Sequence, residues 1–83
     1  MALEEDVIVG LARGLFMSRL HLLRLTEVVR HGIRPSQKDG IMTVPADLDL
    51  QLVEQAFNFV LTCFPKEYHA QIHQARRGWL ELQ

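Results

Sequence analysis

Residues 3–31 read LEEDVIVGLARGLFMSRLHLLRLTEVVRH, and this stretch decides the fold. It has no proline and is rich in Leu, Arg, Met, Glu and Ala, all good helix formers. Glu4, Glu5 and Asp6 open it, and Arg30 and His31 close it, as a helix dipole favours. Gly32 follows as a C-terminal cap, with Pro35 three residues beyond. The stretch predicts one helix over about 3–31. At 1.5 Å per residue such a helix runs roughly 40 Å. A globule of 83 residues has an expected radius of gyration of roughly 12 Å. The helix therefore overhangs a compact protomer, unless it bends near Gly10 or Gly14 or a partner covers the excess.

The apolar residues of this helix fall on two sides. Ile8, Leu11, Leu15, Ser18, Leu22, Leu25 and Val29 follow one another in steps of three and four, a narrow seam of the coiled-coil type. Val9, Phe16, Leu20 and Leu23 form a second stripe about 120° or more away, at 100° per residue. A helix apolar on two sides needs two neighbours. The remaining helices can cover one side, and a second copy of the same helix can cover the other. The seam residues are therefore the expected homodimer interface. Gly10, Gly14 and Ser18, spaced by four, line one side and would let another helix approach closely, either helix two or a second copy.

Beyond it, residues 32–45 form a loop. Asp39-Gly40 is a turn dipeptide, and Ile41–Val44 suits a short extended piece that could form a small hairpin with Ile33. Pro45 and Ala46 begin a second helix over about 46–64, with Asp47 and Asp49 in its first turn and Pro65 as its stop. One stripe of that helix holds Leu52, Ala56, Phe59, Val60 and Cys63, and another holds Leu50, Phe57, Leu61 and Phe64. It reads as the most buried helix. A third helix over about 65–80 carries one apolar stripe, Tyr68, Ile72, Ala75, Trp79 and Leu82. The expected fold is all-α: a long N-terminal helix, a loop and a C-terminal helical hairpin, in one domain over residues 1–83.

The composition agrees with this. The chain is 48% apolar and 23% charged, the profile of an ordinary globular protein rather than a disordered one. Its net charge of −1 excludes a strongly basic nucleic-acid coat. Near neutrality conceals segregation, however: residues 13–34 hold five Arg against one acid, Glu27, while acids gather at 4–6 and 39–54. That separation predicts salt bridges between helices one and two or between antiparallel copies of helix one. A lone cysteine, Cys63, allows no internal disulfide, and its apolar neighbours Leu61 and Phe64 suggest burial. A short chain without such a staple has a thin core, which favours support from a second chain. The acidic N-terminus does not resemble a signal peptide, and the longest mainly apolar uncharged runs, Val7–Ala12 and Ala56–Phe64, are far too short to span a membrane. These features point to the cytoplasm.

The most suggestive polar feature is on helix three. Lys66, His69, His73, Arg76 and Arg77 are related by steps of three or four, so they form a basic stripe for an acidic partner, protein or nucleic acid. His69 and His73 have the i, i+4 spacing of metal ligands, but no Cys-x-x-Cys or His-Glu-x-x-His motif supplies further ones, so no metal or cofactor is expected. Catalysis lacks a constellation as well. Ser36 lies near His31, but no acid beside that histidine orients its ring.

Residues Ala46–Gly78, with Asp47, Val53, Leu61, Tyr68 and Ile72, resemble the helical part of phage antitermination proteins of the Q type. The likeness covers less than half of the chain, and it implies contact with DNA and RNA polymerase. The residues themselves favour a small non-enzymatic regulator or inhibitor acting by protein–protein interaction as a homodimer. A nucleic-acid-binding regulator using the basic stripe is the alternative.

Overall fold

Helix α1 is one uninterrupted helix, Glu5–His31, of 27 residues. The computed structural model describes residues 5–31 and 45–81. Helix α2 spans Ala46–Thr62. A 3₁₀ turn, Lys66–Tyr68, leads into helix α3, His69–Glu81. The all-helical architecture read from the sequence is thus the one observed, with no strand among the described residues. The proposed hairpin through Ile33 and Ile41–Val44, the Gly32 cap and Leu82 all lie outside the described residues.

Local chemistry sets the helix boundaries. Pro45, at φ −51° and ψ 140°, is extended, and its carbonyl accepts the first bond of α2 from the Asp49 amide at 2.9 Å. Asp47 and Asp49 lie in the first turn, where the dipole favours negative charge. At the other end the Cys63 amide donates to the Val60 carbonyl at 2.9 Å, a tightened last turn. Helix α2 ends at Thr62 rather than near residue 64, since Pro65 lacks an amide hydrogen and disfavours helical geometry in the residue before it. The single third helix expected from residue 65 is likewise divided. The Tyr68 amide bonds the Pro65 carbonyl at 3.0 Å in 3₁₀ fashion before α3 begins at His69.

The core lies where the three helices meet. Helix α1 contributes Ile8, Ala12, Phe16 and Leu20; α2 contributes Leu52, Val53, Ala56, Phe57 and Val60; α3 contributes Ile72 and Trp79. The α1 residues are spaced by four, and each such step advances the stripe about 40° around the helix, giving the oblique ridge that packs into a neighbour's grooves. Ala12 lies in the middle of that ridge, fully buried, with no bulk to hold α2 away. Ile8 is therefore not part of an exposed seam. At 1% exposure it belongs to the intramolecular core.

Aromatic rings join the three helices. Phe16 of α1 meets Trp79 of α3 at 5.4 Å between centroids, and Trp79 meets Phe57 of α2 edge-on at 6.4 Å. Gly10, Gly14 and Gly78 have open space where a Cβ would stand, so the line Gly10–Gly14–Ser18 does not pack against α2.

Two substitutions test this core. Phe16→Ala should cost about 3–5 kcal/mol, the range for deleting a buried aromatic ring. Gly78→Ala should instead stabilise α3 by about 1 kcal/mol, because the new methyl meets nothing and a helical glycine is replaced. Urea titration followed by far-UV circular dichroism measures both. A neutral Phe16→Ala would place the ring outside the core.

Candidate functional site

Packing one stripe of α1 leaves the other bare. Val7 is 45% exposed, Leu11 54%, Leu15 37%, Leu22 55% and Val29 83%. Ser18 is exposed as well, and Leu25 is half-buried. Six of the seven seam residues read from the sequence thus keep solvent exposure, while Val7, which sequence reasoning missed, replaces Ile8. The miss has a physical basis: Val7 and Ile8 are both apolar, and only the placement of the helices packed on α1 decides which of them is covered. Gly10 and Gly14 line the edge of this face. At its C-terminal end Leu22, Leu25, Thr26, Val29 and Arg30 border a shallow apolar groove. The face runs about 33 Å from Val7 to Val29 at 1.5 Å per residue.

The basic stripe of the 3₁₀ turn and α3 is partly consumed by the fold. Arg76 pairs with Glu54 of α2, and its guanidinium lies over the Phe57 ring, 4.5 Å from the centroid. The His69 ring nitrogen Nε2 is 2.9 Å from the Phe64 carbonyl, to which it donates in the Nε2–H tautomer. His73 packs edge-on against Phe57 at 5.1 Å. His73 and Arg76 therefore fasten α3 to the middle of α2, and His69 fastens it to the turn that follows α2. Lys66, His73 and Arg77 remain exposed, and His73 and Arg77 border a shallow depression with Gln74. Among the described residues no group of three or more His, Cys, Asp or Glu is arranged to hold a metal ion.

The segregated charge is used between helices one and two. Arg24 clasps Asp49 in a fork: Nε donates to Oδ1 at 2.7 Å and Nη2 to Oδ2 at 2.9 Å. Both side chains are about 30% exposed, at 30% and 29%. The Arg19 guanidinium lies over the Phe59 ring, 4.4 Å from its centroid. Arg30 approaches Glu27 at 3.6 Å and is itself 69% exposed. Asp49 thus does more than favour a helix dipole: it fixes α1 to the first turn of α2.

Cys63 is exposed rather than buried. Helix α2 ends just before it and the chain turns there, so its apolar neighbours do not enclose it. Leu50, at 69% exposure, also departs from the buried stripe expected of it. It lies on the outer side of the first α2 turn. No described helix is long and apolar enough to cross a membrane.

Comparison with known proteins adds no relative: no family model, curated protein or solved structure matches the chain.

The Arg24–Asp49 fork is open to direct test. Asp49→Asn keeps the shape but removes the charge-assisted fork, and should cost about 1 kcal/mol, between an exposed ion pair and a buried one. The Arg24→Met, Asp49→Asn double variant should then lose less than the sum of the singles. Additive losses in denaturant titrations would mean that the two side chains do not interact in solution.

Proposed function

We propose that this protein is a small non-enzymatic regulator or inhibitor that acts by binding other proteins, and that it does so as a homodimer built on the outer face of α1. The observation that carries the reading is the row Val7, Leu11, Leu15, Leu22 and Val29, left 37–83% exposed by a fold that has already buried the opposite side of the same helix. Contiguous exposed aliphatic surface on a small chain marks an interaction site more often than scattered apolar residues do. The sequence offers no constellation that points to catalysis. The exposed Cys63 thiol suits a reducing compartment such as the cytoplasm. The partner beyond a second copy would be a protein.

Nucleic-acid binding through α3 is the weaker alternative. Three of its five side chains, His69, His73 and Arg76, already make contacts within the protomer.

Light scattering at micromolar concentration should report a dimer. Leu15→Glu and Leu22→Glu should each weaken association by about a hundredfold, since both copies carry the buried charge. Helicity should stay unchanged, because both positions face solvent in the protomer. A wild-type monomer would overturn the dimer, and a variant that unfolds would place the seam inside the protomer. A DNA or RNA mobility shift that falls steeply with salt would favour the alternative.

A further inference from the structure

We draw no further inference here: the strongest candidate, the exposed apolar row along the outer face of α1 from Val7 to Val29, belongs to the surface already described, and nothing in the structure shows what covers it.

Discussion

The contact on which the rest of the protomer depends is the meeting of Phe16, Phe57 and Trp79. Each ring comes from a different helix, and each is essentially buried. Helix α3 packs less extensively on α1 than α2 does. Its attachment therefore relies on Trp79 and on the polar clasp beside it, where Arg76 reaches Glu54 across the Phe57 ring and His73 meets that ring's edge. Phe57 is in effect the hub: apolar partners occupy one side, and two side chains of the basic stripe occupy another. A guanidinium over an aromatic face gains cation–π attraction while retaining access to water, which is how a charged residue can take part in so small a core.

Satisfying this junction constrains α1. A short α2–α3 hairpin can cover only one side of a 27-residue helix. The radius of gyration of 14.5 Å and longest extent of 48 Å, against the roughly 12 Å expected of a compact chain this size, express the same mismatch. The outer row of α1 is exposed because the inner row, with its larger Phe16 and its close-packing Ala12, meets α2 and α3 more favourably.

The helical architecture was legible because proline placement, the absence of breakers in 3–31 and the acidic first turns are local signals. Which α1 stripe faces inward was less so. Both stripes are aliphatic, and a heptad-like step and a four-residue step share Ile8, so the sequence assigned Ile8 to the seam when it lies in the core. Telling Val7 from Ile8 needs the placement of α2 and α3 on α1, which is tertiary information. Cys63 was misread for a related reason: its neighbours are apolar, but the chain turns at the end of α2 and carries it outward. The basic stripe was legible as a set of positions. That His69 would answer a carbonyl in the turn after α2, and Arg76 a carboxylate of α2, depends on segments brought together only by folding.

The near-zero net charge of the chain also takes on a different meaning. Arg24 neutralises Asp49 and Arg76 neutralises Glu54, so part of the acidic 39–54 segment is matched within the protomer. Toward the ends of α1, Asp6 is exposed and Arg30 approaches Glu27 of its own helix rather than an acid of α2. What the fold leaves exposed on α1 is therefore an apolar row. Covering that row removes aliphatic surface from water along the element that also supplies four core residues. Association through it would consequently add to folding stability by mass action, and apparent stability would rise with protein concentration. In a chain whose core is this thin, folding and association through α1 would then be two readouts of one free-energy balance.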